Sequence, residues 1–358
     1  MNNKIKIIPI FVPHVGCKND CVFCNQKKIT GKGSVHVDSR YAIDTVEEFI
    51  KTIDDNTETE LAFFGGSFTA IDIKLQSELL QVGKFYKDKG TVQKIRISTR
   101  PDAIDNDILK LQKKYGVDII ELGIQSLDDN VLKKSNRGHT KMDCFNAGKL
   151  IKEYGFRLGH QIMPGLPGSL PETDIKTAID SIEMKPDMVR IYPTLIIKDT
   201  ELFNMYESGL YVPLSLDAAI ELTAQIYSLY MTNNINVIRI GLQNTETINE
   251  DNDVVGGPFH PAFRQLVEER IYLSSLESQL ISKDLGNGSI RINADYKIIS
   301  NITGQNKSNI IKLKNKFNIK IISFSNSENK NLIEIYLDDK KIGSFNKSDI
   351  FSNYLSSK

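Results

Sequence analysis

The stretch Val15-Gly16-Cys17-Lys18-Asn19-Asp20-Cys21-Val22-Phe23-Cys24 places three thiols within eight residues. It comes after a strand-like apolar run, Ile5–Val12. Thiolates spaced Cys-x3-Cys-x2-Cys can hold three corners of a cubane [4Fe–4S] cluster, leaving the fourth iron open to a small chelating molecule. The structural alternative is a Cys3His zinc site using His14 or His36. A disulfide scaffold is excluded, because four cysteines in 358 residues are too few and Cys144 stands alone in the sequence.

Outward from this loop the chain alternates strand-like and amphipathic runs. Strands are expected at Ile5–Val12, Glu60–Phe64, Lys94–Thr99, Val117–Ile124, Arg157–Met163 and Met188–Tyr192. Helices are expected at Asp38–Ile53, Asp72–Lys87, Asp102–Tyr115, Thr140–Tyr154 and Pro171–Met184, with Asp38, Asp72 and Thr140 as caps. Alternating β and α units imply a parallel sheet with right-handed crossovers. Six such units fit an α/β fold, a partial (β/α)6 TIM-like barrel over residues 1–195. Residues 196–281 read as an α/β extension, and 282–358 as a small α+β domain. In barrels of this kind function gathers at the C-terminal strand ends. Those ends carry the cysteines, Gly65-Gly66-Ser67, Ser98-Thr99-Arg100, Gln125-Ser126, Pro164–Gly168 and Tyr192-Pro193-Thr194.

The cysteine spacing after the first strand of such a chain resembles the radical S-adenosylmethionine (SAM) superfamily. The resemblance implies a [4Fe–4S] cluster held by Cys17, Cys21 and Cys24. It also implies SAM as cofactor, cleaved to a 5′-deoxyadenosyl radical. Phe23 then corresponds to the aromatic residue beside the adenine, and Gly65, Gly66 and Ser67 to the backbone that meets the methionine amine. Ser98, Thr99 and Gln125 fall where ribose and carboxylate contacts lie, with Arg100 beside them. Arg137 supplies a cation for the methionine carboxylate. Ile162 and Tyr192 match positions on the fifth and sixth strands.

The strings ELGIQS (121–126), NRGHT (136–140), GHQIMPGLPGS (159–169) and IYPTLII (191–197) are similar to the radical domain of the Elongator catalytic subunit. That family modifies the wobble uridine of tRNA. Two departures stand out: Elongator subunits have wider cysteine spacing, and the 77 residues after 281 show no acetyl-coenzyme A pyrophosphate loop. The resemblance implies a radical SAM enzyme acting on RNA, tRNA or rRNA, with an electron donor such as flavodoxin or ferredoxin. The alternative is a radical enzyme acting on a small molecule or a protein side chain. A different class is an RNA-binding protein with a structural cluster, which the matching cofactor motifs disfavour.

The net charge of zero hides an asymmetry. Residues 282–358 hold 13 Lys+Arg against 7 Asp+Glu, and the rest of the chain is acidic by the same margin. A basic tail fits a nucleic-acid partner. Its expected order of strand, helix, loop, helix, two strands and helix resembles a K-homology domain. In that family a Gly-x-x-Gly loop clamps the nucleic-acid backbone. Here the loop is Gly304-Gln305-Asn306-Lys307, with lysine in place of the second glycine. No apolar run approaches the roughly 18 residues that span a bilayer. The apolar N-terminal run is broken by Pro9 and Pro13. The expectation is a cytoplasmic protein with no membrane partner.

Overall fold

A computed structural model describes residues 5–12, 17, 19–25, 36–53, 57–242, 253–286 and 288–358. His14 lies outside the described residues. The chain divides into two compact units, Met1–Ser215 with Ile235–Phe259, and Leu216–Asn234 with His260–Lys358. The two helices of the expected extension, Leu216–Thr232 and Phe263–Leu280, therefore cluster with the tail.

The first unit is built on strands β1 (Ile5–Val12), β2 (Glu58–Gly65), β3 (Lys94–Thr99), β4 (Ile119–Gln125), β5 (Arg157–Ile162) and β6 (Met188–Ile191). All pair in parallel, in sequence order. Runs such as IIELGIQ in β4 are buried almost throughout, as a covered parallel sheet requires. The sheet curls as a half-barrel with seven strands. After a short strand β7 (Ile196–Ile197), the segment expected in the extension becomes β8 (Asn236–Ile240). It adds to β6 in parallel, from Met188↔Asn236 to Ile191↔Ile240. Strand β7 itself pairs antiparallel with β9 (Val254–Gly256).

The expected caps form. Asp38 accepts from Tyr41 N, Asp72 from Lys74 N, and Thr140 makes a capping box with Asp143. Each removes orphan donors at a helix start.

The second unit contains a four-stranded sheet of β10 (Ser289–Ala294), β11 (Ile321–Asn326), β12 (Leu332–Leu337) and β13 (Lys340–Asn346), in the order β11-β10-β12-β13. Strand β10 is parallel to β11 and antiparallel to β12. Between β10 and β11 lie the helices Tyr296–Thr303 and Ser308–Phe317. The sheet has one strand more than expected, β13 (Lys340–Asn346), paired antiparallel with β12. Its sequence KKIGSFN is polar and interrupted by glycine, which hides an edge strand. The hidden signal is the Asp338-Asp339 turn, where both residues have positive φ, 44° and 67°, as a two-residue type I′ hairpin needs. Among the described residues no helix is long and apolar enough to cross a membrane.

Candidate functional site

The cysteine loop is fastened to residues 135–138, on the segment that runs on from β4. Val22 N donates to Ser135 O at 3.2 Å, and Asn136 Nδ2 donates to Asp20 O at 2.7 Å. Gly138, with φ +69°, packs so closely that a Cβ would fall onto the Asn19 side chain. Leu202 N donates to Val22 O at 2.7 Å, tying the loop to the start of helix Glu201–Glu207 as well. Val22 packs with Ile196, Leu202 and Tyr211, and Phe23 lies against that cluster. The NRGHT string thus positions the cysteine loop.

Cys21 is buried, while Cys17 and Cys24 are half-buried. Among the described residues no three His, Cys, Asp or Glu side chains close on a single ion. The surroundings of the Cys21 sulfur suit a cluster ligand. Arg137 Nη1 donates to Cys21 Sγ at 3.1 Å, and Arg100 Nη1 approaches the same sulfur at 3.8 Å. Two guanidiniums beside one sulfur place positive charge where a thiolate-ligated, anionic cluster would sit. Arg137 Nη2 donates to Gly123 O at 2.5 Å. Its guanidinium also lies 5.9 Å from the Phe23 ring centroid. Arg100 is held by Asp102 and by the carbonyl of Arg137.

The buried side-chain atoms here without a partner among the described residues include Arg137 Nε and Gln125 Oε1. They belong to one neighbourhood. A Cβ placed on Gly123 would lie 3.0 Å from Gln125 Nε2 and 3.5 Å from Arg137 Nη2. Gln125 is also a non-glycine residue at φ +62°, a conformation that costs energy and persists where function over-determines it. An orphaned donor and an orphaned acceptor beside the cysteines suit a zwitterionic ligand such as SAM.

The other expected contacts divide. Gly65, at φ +107°, approaches β1 so closely that a Cβ would fall onto Val12 O, and Gly66 N donates to that oxygen at 3.1 Å. Here glycine is required by the chain itself. Ser67 and Thr99 are buried and bonded to each other, Oγ to Oγ1 at 2.8 Å, and Thr69 joins them. Their hydroxyls brace the ends of β2 and β3. Ser98 points to the other side, 3.4 Å from Gln161 Nε2. Ile162 is buried, and Tyr192 is half-buried with its hydroxyl near Arg190.

Two features escape sequence reasoning. His139 lies buried beside the two guanidiniums; burial first, then Arg137 and Arg100, push its pKa down to about 4, so it is neutral at pH 7. The inner face of the sheet also carries a buried charge ladder. Arg96 bridges Glu60 and Glu121, and Arg190 closes on Glu121 with Nε–Oε2 at 2.6 Å. All four side chains are at most 8% exposed.

A curled parallel sheet with a three-cysteine loop at the end of its first strand, and orphaned polar atoms beside it, is an arrangement that fits an iron–sulfur enzyme using SAM. Residues 11–179 match the Radical SAM superfamily model, and residues 186–272 the Radical_SAM C-terminal domain. The chain belongs to the radical SAM superfamily, whose cofactors are a [4Fe–4S] cluster and SAM. It is 32% identical over 204 residues to the tRNA uridine(34) acetyltransferase of Methanocaldococcus jannaschii, covering 51% of this chain and 38% of the relative. It is 36% identical over 138 residues to human (Homo sapiens) Elongator complex protein 3, covering 38% of this chain and 25% of the relative. The matches thus span less than half the length of these curated relatives. The solved archaeal Methanocaldococcus infernus Elp3 with an N-terminal deletion shares the fold. Its TM-score is 0.59 at 20% identity, covering 96% of this chain and 77% of that one.

Proposed function

We propose that this radical SAM enzyme modifies tRNA at a uridine. The observation that supports the reading best is convergence. The strings ELGIQS and NRGHT, which resemble the Elongator radical domain, supply Gly123, Gln125, Arg137 and Gly138 to one cluster around Cys21. Three of the curated relatives are named tRNA uridine(34) acetyltransferase. Cys17, Cys21 and Cys24 hold the cluster. Arg137 and Gln125 orient SAM beside it, with Phe23 packed against the guanidinium. A reduced [4Fe–4S] cluster held there, supplied with an electron by a flavodoxin- or ferredoxin-type donor, would pass one electron to bound SAM, whose S–C5′ bond would break to give methionine and a 5′-deoxyadenosyl radical. Acetyl transfer is not assigned to this chain.

The deciding experiment compares modified nucleosides, by mass spectrometry, in tRNA from cells with and without the gene. A modified uridine that disappears with the gene is expected. An unchanged tRNA profile overturns the tRNA reading and favours a small-molecule or protein substrate.

Replacing Arg137 tests the cofactor assignment. Arg137→Ala removes charge-assisted bonds and should weaken SAM binding by about 1.5–3 kcal/mol. Equilibrium dialysis with labelled SAM measures it, and unchanged affinity removes Arg137 from the site.

The tail is read as the RNA-binding element of the second unit. Its loop Gln305-Asn306-Lys307 is exposed, and Asn306 and Lys307 both have positive φ, 51° and 62°. Gly304 is buried, and a Cβ there would lie 2.9 Å from Asn309 N, so substituting it would disturb the fold as well as any contact. Lys307→Glu is the cleaner variant. It should weaken binding of tRNA by the whole protein and shallow the log–log salt dependence by roughly 0.7–0.9, the loss of one phosphate contact. Filter binding across a salt series reads both, and an unchanged slope removes Lys307 from the interface.

A further inference from the structure

The buried ladder has a tight side and a loose side. On the tight side Glu121 takes Arg96 Nη1 at 2.6 Å, Arg190 Nε at 2.6 Å and Arg190 Nη2 at 3.2 Å. On the loose side every bond is long. Gln161 Nε2 lies 3.4 Å from both Ser98 Oγ and Glu121 Oε2, and Arg190 Nη1 lies 3.4 Å from Tyr192 OH. Bonds of that length contribute little. Ser98, Gln161 and Tyr192 are all half-buried, unlike the ladder beneath them.

Burying four charges is expensive, and a packed apolar filling would stabilise a barrel interior as well. The ladder does have one geometric consequence. Bonded through Nε and Nη2 to Glu121, and lying 5.3 Å over the Phe64 ring, the Arg190 guanidinium has a fixed plane. Its Nη1 then presents donors toward Tyr192. A guanidinium offers donors only, so it selects a carbonyl or anionic oxygen. The Gln161 amide beside it offers both a donor and an acceptor, and the Ser98 and Tyr192 hydroxyls can do either.

We propose that Arg190, Gln161, Ser98 and Tyr192 form the substrate-recognition layer of the barrel, and that the group they take is the imide edge of a uracil. That edge presents carbonyl, N–H, carbonyl. Arg190 donates to one carbonyl, the Gln161 oxygen accepts from the N–H, and a hydroxyl donates to the second carbonyl. Cytosine keeps the O2 carbonyl but carries an amino group in place of O4 and an unprotonated ring nitrogen in place of the N–H, so it leaves the Gln161 oxygen without a donor and, where Arg190 takes O4, leaves Arg190 without an acceptor. The inference rests on the tRNA-uridine reading and adds the residues that choose the base.

The test uses the full-length protein and an anticodon stem-loop RNA carrying 4-thiouridine at position 34. After irradiation, crosslinked peptides are mapped by mass spectrometry. Crosslinks on the peptides of Ser98, Gln161 or Arg190–Tyr192 are expected. In addition, Gln161→Leu should reduce the binding preference for uridine over cytidine at that position by about tenfold, the value of one lost base-edge bond. Ser98→Ala is the second variant should the first fail to fold. Crosslinks confined to other segments, or an undiminished preference in both variants, overturn the inference while leaving tRNA as substrate. No RNA binding by the wild type at low salt overturns the tRNA reading itself, and the base-recognition assignment with it.

Discussion

Serine at Cys17, Cys21 or Cys24 is expected to abolish cluster binding, for a chemical rather than a steric reason. A hydroxyl of about the same size is a poor ligand for iron at neutral pH, where a thiolate binds. Wild-type protein reconstituted under anaerobic conditions is expected to hold about four irons per chain and to show thiolate-to-iron charge-transfer absorption. Each of the three variants should lose the absorption and, with dithionite and SAM, all 5′-deoxyadenosine formation. Cys144 is the internal control. It lies wholly buried on the helix Lys141–Glu153, and burial pushes its thiol pKa up to about 12. Cys144→Ala, which avoids leaving an unpaired hydroxyl in an apolar site, should keep iron content and absorption at wild-type levels. Stoichiometric zinc in anaerobically purified wild type, or a cluster that survives serine at one of the three positions, contradicts the assignment.

The features legible in the sequence are those set by local rules. Cysteine spacing, helix caps at Asp38, Asp72 and Thr140, and glycine at the end of β2 each act over a few residues. The strand–helix rhythm follows from apolar periodicity, which is why six barrel strands lie where expected to within two residues. The features that stayed hidden depend on partners far apart in the chain. Glu60, Arg96, Glu121 and Arg190 look like solvent-facing charges in otherwise apolar strands. Pairing of β3 with β4 sets Arg96 beside Glu121, 25 residues away in the chain, and the order β4-β5-β6 brings Arg190, 69 residues away, to Glu121 across Gly159. Ser67 and Thr99 show the converse. Polar residues at strand ends suggest ligand contacts, yet these two spend their hydroxyls on each other. Likewise β8 reads as a strand from its own residues, but its place beside β6 is a property of the sheet.

Glu121→Gln is expected to lower the stability of the barrel unit by about 3–5 kcal/mol at neutral pH, the cost of leaving buried charge uncompensated. The substitution keeps shape and volume, so packing is not the cause. Arg96 retains Glu60, whereas Arg190 loses the only carboxylate it is bonded to among the described residues. Urea denaturation measures the loss, and for a unit of this size it corresponds to a fall in melting temperature of roughly 6–20 °C. A second signature is the pH dependence. Burial alone would raise the Glu121 pKa, but Arg190 and Arg96 outweigh it and hold the carboxyl below its usual value. A group with a depressed folded pKa contributes stability above its unfolded value, near 4.3, and loses that contribution as pH falls through the folded value. The gap between wild type and Glu121→Gln should therefore be widest at pH 7 and should narrow as pH falls below about 4. Removing both members of the pair, as Glu121→Leu with Arg190→Met, should cost less than the single change, because no orphaned charge remains. A Glu121→Gln variant as stable as wild type at pH 7 would mean that the ladder is hydrated or uncharged. The fixed plane of Arg190, on which base recognition depends, would then have no physical support.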